Sequence, residues 1–235
     1  MDVVTDNYQV VAIAFATTVL LFVFAGIASL VLGTVLVTFR VGPVAVMRRA
    51  AATYVTVVRN TPLLLVLLFL SIAAPKIGIN FQFLKIVIET SWGDIRMTNA
   101  FGVAVVGLTL YTSSFVCEAI RSGVNAVPLG QAEAARAIGL PFGGVMTSVV
   151  LPQAFRAALP PLASTFIALL KNTTVAISVL VLEAAYQMKQ LFDVYPDQRD
   201  KWTVLVMFAV VFVVLVGLVS FASNRLERRW RVAAR

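Results

Sequence analysis

Five stretches of the chain are apolar for long enough to enter a bilayer, and charge collects between them. Residues 10–39 are apolar apart from Thr and Ser and end at Arg40. That run exceeds the roughly 20 residues one crossing needs, so it predicts a tilted or protruding first helix. Residues 41–50, with Gly42, Pro43, Arg48 and Arg49, form a short basic connection. The second stretch, residues 52–74, is interrupted by Arg59, Asn60, Thr61 and Pro62. Because 63–74 alone is too short, the span either begins ahead of the proline or kinks at Pro62, where a backbone donor is missing. Residues 75–98 mix Lys76, Lys85, Glu89, Trp92, Asp94 and Arg96 with Phe81, Phe83, Leu84, Ile86, Val87 and Ile88, which reads as an interfacial loop with a short amphipathic piece. Three further spans follow at 99–117, 160–184 and 202–221, with a long polar connection at 118–159 and an arginine-rich tail. The pattern predicts one all-α integral membrane domain over residues 1–235, with about five transmembrane helices.

Composition strengthens that picture. With 60% hydrophobic and 13% charged residues and a mean hydropathy of +0.93, the chain lies outside the range of soluble globular domains. A net charge of +8 and a pI near 10.2 would suit a nucleic-acid binder, but its Lys and Arg sit between apolar runs and not on a solvated face, so no nucleic-acid partner is expected. One cysteine, Cys117, and no histidine exclude an internal disulfide framework and His/Cys zinc sites, so no metal site is expected. The first ten residues carry Asp2 and Asp6 and no basic segment, so the first apolar run is expected to stay as a helix. Of the 19 Lys and Arg, 13 fall on the side that holds residues 40–59, the 118–159 loop, Lys171 and the tail. Basic residues accumulate in cytoplasmic loops, so the N-terminus is expected outside and the C-terminus and long loop inside.

The long loop reads as two short helices separated by a break. Gly130 precedes Gln131, Ala132, Glu133, Ala134, Ala135, Arg136, Ala137 and Ile138, a run of good helix formers. Gly139 can end that helix and Pro141 can open the next at its first turn, before residues 145–151 meet Pro152. A short rigid helix with small residues along it can seat in a groove on a soluble partner; an amphipathic connector lying on the membrane is the other reading.

The same residues carry a resemblance. Glu133-Ala134-Ala135, three residues, Gly139 and then Val149-Val150-Leu151-Pro152 resemble the EAA loop of ABC importer permeases, with Val149 where isoleucine is commoner. Arg59-Asn60-Thr61-Pro62-Leu63-Leu64, Glu118-Ala119-Ile120-Arg121-Ser122-Gly123, Gly130-Gln131 and Leu170-Lys171-Asn172-Thr173-Thr174 extend the likeness in order from about residue 48 to 183. Together they resemble the permease family of polar amino-acid ABC importers, closest in look to actinobacterial glutamate-type uptake permeases. The resemblance implies a type I importer fold in the plasma (inner) membrane of a bacterium. Its implied partners are a second, identical or homologous permease, two cytoplasmic ATPases and an extracytoplasmic binding protein. It also implies that the EAA helix couples to the ATPase, with Glu133 in charge-assisted contact, Ala134 and Ala135 packing closely, Gly139 permitting the turn, and Gln131, Arg136 and Pro141 completing the element. The chain has no Gly-x4-Gly-Lys-Ser/Thr loop, so no cofactor is expected on it, and ATP and Mg belong to the partner ATPase.

Lys171 is the costliest residue in the predicted spans, since an ammonium in the bilayer needs protein, water or a counter-charge. With Asn172, Thr173 and Thr174 it marks either a wet pathway face or a side chain that snorkels to the interface or pairs with Glu118. Tyr111, Thr112, Ser113 and Ser114 either line the same path or pack helices closely. Arg59 is either an interfacial anchor or a gate. The rival to an ATP-driven permease is a stand-alone secondary transporter or channel, but the internal repeats and paired broken spans of such carriers are not evident. An enzyme has little material here: there is no histidine and no span holds paired carboxylates.

Overall fold

The computed structural model describes residues 2–81, 86–90 and 92–230. In chain order it contains α1 (Asp2–Val41), α2 (Ala45–Arg59), α3 (Leu63–Lys76), β1 (Ile86–Thr90), β2 (Gly93–Met97), α4 (Asn99–Asn125), α5 (Leu129–Ala137), α6 (Phe142–Val145), a wide π turn at Met146–Val150, α7 (Leu151–Asn172), a 3-10 segment at Thr173–Val179, α8 (Ala184–Val194) and α9 (Gln198–Trp230). Among the described residues four helical stretches are long and apolar enough to cross a membrane, at Val3–Val41, Asn99–Asn125, Gly143–Val179 and Gln198–Arg229. The pair α2 and α3 makes a fifth if the two count as one broken span.

Sequence and structure part at several boundaries. The kink considered at Pro62 is a full break in the helix: α2 and α3 meet at 101°. Pro62 has no N–H to continue α2 and pushes Thr61 out of helical geometry, so the chain restarts with Leu65 and Val66 donating to Pro62 O. The third helix runs on past Cys117 to Asn125. The fourth starts well before residue 160 and ends as a helix at Val179, where Leu180 turns left-handed at φ 64°. Pro160 and Pro161 sit inside α7 and do not begin it. The stretch 75–98 holds an antiparallel hairpin, so the bundle is helical but the chain is not wholly so; Ile86 faces Met97 and Ile88 faces Ile95. Phe83, Leu84 and Lys85 of the expected amphipathic piece lie outside the described residues.

α4 is the central helix. Its residues Phe101, Val103, Ala104, Val105 and Leu108 join Leu21 and Ala25 of α1, Leu67 of α3, Leu169 of α7 and Ala176 in one core cluster. In a bilayer, hydrophobicity does not drive helices together, so close approach and satisfied polar groups must hold them. Both are present: Thr17, Thr18 and Ser29 of α1 and Ser113 and Ser114 of α4 are buried, and each donates to a carbonyl three or four residues back. The Tyr54 hydroxyl donates to Leu110 O at 2.9 Å and ties α2 to α4.

At the end of the bundle that holds the N-terminus, α8 packs between α1 and α9 through Val3, Val11, Phe15, Leu191, Val204 and Phe208. Glu183 opens α8 from a fully buried position, accepting from Ala185 N at 2.9 Å and Tyr186 N at 3.0 Å, while Ala184 N donates to Thr18 Oγ1 at 3.1 Å. Three orphan donors of the first turn are thereby satisfied. Glu183→Ala is therefore expected to cost about 1–3 kcal/mol, because two part-buried N–H groups lose their acceptor. An unshifted thermal midpoint of the purified variant in detergent would count against this capping role.

Candidate functional site: a projecting helix and an interhelical cavity

At the opposite end of the bundle the chain leaves α4 at Asn125 and forms α5 on a narrow base. Pro128 supplies the extended residue before the helix, and α5 closes with the hydrogen-bond pair of a Schellman turn. Leu140 N donates to Ala135 O at 3.2 Å and Gly139 N to Arg136 O at 2.9 Å. Gly139 has φ +90°, a conformation that a side chain strains, so glycine is the residue this stop requires. Ala135 is buried against Val145 and Val150, with Leu140 and Met146 beside them. Gln153 of α7 donates to Gln131 Oε1 at 2.5 Å. Pro152 offers no N–H to the preceding turn, and the wide π turn ahead of it brings Val145 and Val150 under α5.

The opposite face of α5 is bare. Gln131, Glu133, Ala134, Arg136, Gly139 and Pro141 are exposed, and Leu129 and Ile138 are each 80% exposed. Glu133 makes no ion pair among the described residues. Of the residues singled out on α5, Ala135 is the one that is buried and Gln131, though exposed, is the one bonded to α7; these two serve the base of the helix and not its outer surface.

Behind this element stands a charge cluster. Glu118 on α4 takes Arg121 at 2.9 Å, pairs closely with Arg40 at the end of α1, and has Arg59 at 3.7 Å. One carboxylate thus ties α1, α4 and the α2–α3 break together. Of the alternatives for Lys171, pairing with Glu118 is not the one found: the carboxylate is taken by three arginines, whose charge it must balance. Arg59 also lies over the Phe115 ring, 5.2 Å from its centroid.

Phe115 leads to a cavity of about 320 Å³ between α4 and α7, lined by Tyr111, Thr112, Phe115, Ser164, Thr165, Ala168, Leu169 and Asn172. Three of the residues singled out for a pathway, Tyr111, Thr112 and Asn172, come together here. Ser114 is buried and donates to Tyr111 O, Thr173 is buried and donates to Leu170 O, and Thr174 lines a separate apolar pocket beside Phe15 and Phe208. Lys171 is exposed in the last turn of α7 without an ion pair among the described residues. Ser164 and Phe115 were missed in the sequence, although Ser164 lies two turns before Asn172 on the same helix face. Asn60, Thr61 and Pro62 form the helix break and Leu151 and Pro152 the start of α7; none of them lines the cavity.

A bundle of this hydropathy, with a broken span and a helix held out from one end, defines a multi-pass membrane protein. The chain belongs to the family described as binding-protein-dependent transport system inner membrane component, which it matches over residues 29–232. It is accordingly a transporter subunit and not an enzyme. It is 40% identical over 222 residues to the glutamate transport system permease protein GluC of Corynebacterium glutamicum, covering 93% of each chain. It is 30% identical to the probable glutamine ABC transporter permease protein GlnM of Bacillus subtilis, covering 97% of each. Among solved structures it is similar to a chain of an amino acid ABC transporter crystallised with histidines, at a TM-score of 0.81 and 25% identity over 96% of each chain. The methionine ABC transporter MetNI, inward facing, matches in fold at a TM-score of 0.65 and 21% identity over 94% of each chain. The expected type I importer architecture is thus the architecture found.

Proposed function

We propose that this chain is the permease subunit of an ATP-driven importer of polar amino acids, with glutamate the favoured substrate, in the inner membrane of a bacterium. It forms half of the translocation pathway beside a second permease, and it is driven through α5 by a separate ATPase that holds ATP and Mg. An extracytoplasmic binding protein delivers the substrate. The observation that carries this reading is the bare outer face of α5 on its rigid base. A helix fixed at Ala135, Gly139 and Gln131 transmits a push from a soluble partner into α4 and α7, whereas a loose connector would absorb it. The charge bias supports a cytoplasmic α5, Pro141 and C-terminus and an N-terminus outside.

The cavity between α4 and α7 is the substrate path in this reading. Thr112 and Asn172 line it, and their hydroxyl and amide are the hydrogen-bonding groups it offers a passing ligand in this reading. Arg59, stacked on the cavity residue Phe115 at the helix break, acts as the gate. Its charge, like that of Lys171, suits a substrate carboxylate, and the likeness to GluC supports glutamate over other polar amino acids. Reconstitution of the chain with its permease partner, ATPase and binding protein in proteoliposomes tests the proposal: labelled glutamate should accumulate only when ATP is supplied to the ATPase side. Accumulation without ATP, driven by an ion gradient, would point to a secondary carrier instead.

Lys171→Met is expected to weaken uptake by about 10-fold, the effect of losing roughly 1.4 kcal/mol of attraction. The side chain is exposed and makes no ion pair among the described residues, so assembly with the partners should be unchanged. Unaltered uptake kinetics in this variant would return Lys171 to an interfacial role.

A further inference from the structure

A second cavity, of about 410 Å³, opens where the end of α1, the start of α2 and the end of α4 meet. It is lined by Arg40, Val41, Arg48, Arg49, Ala52, Arg121 and Asn125. Four guanidinium groups and an amide therefore share one concavity, and among the described residues Glu118 is the one carboxylate that pairs with any of them. Glu118 already serves Arg40, Arg121 and Arg59, so the cluster keeps a surplus of positive charge. Arg48 donates to Gly42 O at 2.9 Å and Pro43 O at 3.1 Å, which fixes its head at the rim without neutralising it. Arg49 has no ion-pair partner among the described residues.

The placement is also unfavourable for α2 itself. Its first turn has no acidic residue and no side-chain cap, yet Arg48 and Arg49 follow at once, at the positive end of the helix dipole. Cations there are destabilising unless an anion sits among them. Val46, 76% exposed, and Val57, 58% exposed, leave apolar side chains bare on the same helix as these arginines, and a helix that exposes both apolar and basic groups fits a membrane surface.

We propose that this cavity is a phosphate-binding site, which takes the anionic phosphate of an acidic phospholipid headgroup or of a free phosphate ion. Planar guanidinium forks match phosphate oxygens pairwise, and basic pockets between membrane helices hold such headgroups in the same way. The bound anion ties α1, α2 and α4 together beside the Glu118 cluster and so steadies the α2–α3 break. The site stands on its own residues and does not depend on the transport reading.

The test uses the full-length chain purified in a neutral detergent at low ionic strength. Its thermal midpoint and ligand binding are followed with phosphatidylglycerol, with phosphatidylcholine of the same acyl chains, and with inorganic phosphate. Phosphatidylglycerol is expected to raise the midpoint and phosphatidylcholine to leave it unchanged. The double variant Arg48→Gln, Arg49→Gln should bind at least about 10-fold more weakly, consistent with two lost charge-assisted contacts. Arg228→Gln with Arg229→Gln, which removes the same charge from the exposed tail, should bind as the parent does. Stabilisation by inorganic phosphate as well identifies the free ion as sufficient; stabilisation by phosphatidylglycerol alone identifies the headgroup, and either supports the site. Equal stabilisation by both lipids, no stabilisation by any probe, or equal loss in the two double variants overturns it.

Discussion

Replacing Glu133 by arginine is expected to reduce ATP-dependent uptake by the reconstituted complex to near background while leaving the bundle folded. Glu133 stands on the bare face of α5, makes no ion pair within the chain among the described residues, and so has nothing to lose on its own side. If it meets a cationic group in the ATPase groove, reversal exchanges an attraction for a repulsion of several kcal/mol, roughly a 100-fold or greater loss of docking. Two measurements separate the possibilities: co-purification of the ATPase and ATP-dependent uptake. Both should fall together. Parent-like complex formation and transport in the variant would remove α5 from the coupling pathway, and the thermal midpoint of the isolated chain checks that folding is intact.

The second large effect is expected at Gly123, where α4 crosses α7. A Cβ on Gly123 would stand 2.3 Å from Ala154 O, 2.7 Å from Ala158 Cβ and 2.9 Å from Ala158 N. Two of these neighbours are backbone atoms and cannot rotate away, so the helices must part. Gly123→Val is therefore expected to cost more than about 3 kcal/mol or to prevent folding, with Gly123→Ala milder but still clearly destabilising. Gly130, which has nothing within 4 Å of its added Cβ, supplies the control: Gly130→Ala should leave the midpoint within error. A parent-like midpoint for Gly123→Val would mean that α4 and α7 do not approach so closely. The consequence reaches function, because the cavity of Thr112 and Asn172 lies between the same two helices.

Which parts of the candidate site could be read in advance depended on the range of the interactions involved. The helix, stop and restart of residues 130–141 rest on local rules, namely helix propensity, a left-handed glycine and a proline that begins a helix. The hairpin at 86–97 carried a local signal too, in the β-branched run Ile86-Val87-Ile88 and in Gly93, whose φ is +127°. Thr112 and Asn172 were legible as polar residues in apolar helices, but their meeting across one cavity needs α4 and α7 to cross, and that depends on Gly123 and Ala158. The inward turn of Ala135 follows from Val145 and Val150 lying beneath it, contacts made across a wide turn that no spacing rule anticipates.

The sequence by itself determined the membrane class, a chain of about five spans and the single long loop, because the cost of placing polar backbone and charge in hydrocarbon is paid residue by residue. It also determined the breaks, since proline and glycine act on their immediate neighbours. Only the tertiary structure decided the 101° angle between α2 and α3, the triple arginine claim on Glu118 and the gathering of Arg40, Arg48, Arg49 and Arg121 around one cavity. Those features join residues up to about eighty positions apart in sequence. Such pairings are fixed by which helix faces can approach closely, and that is a property of packed surfaces that the order of residues along one helix does not contain.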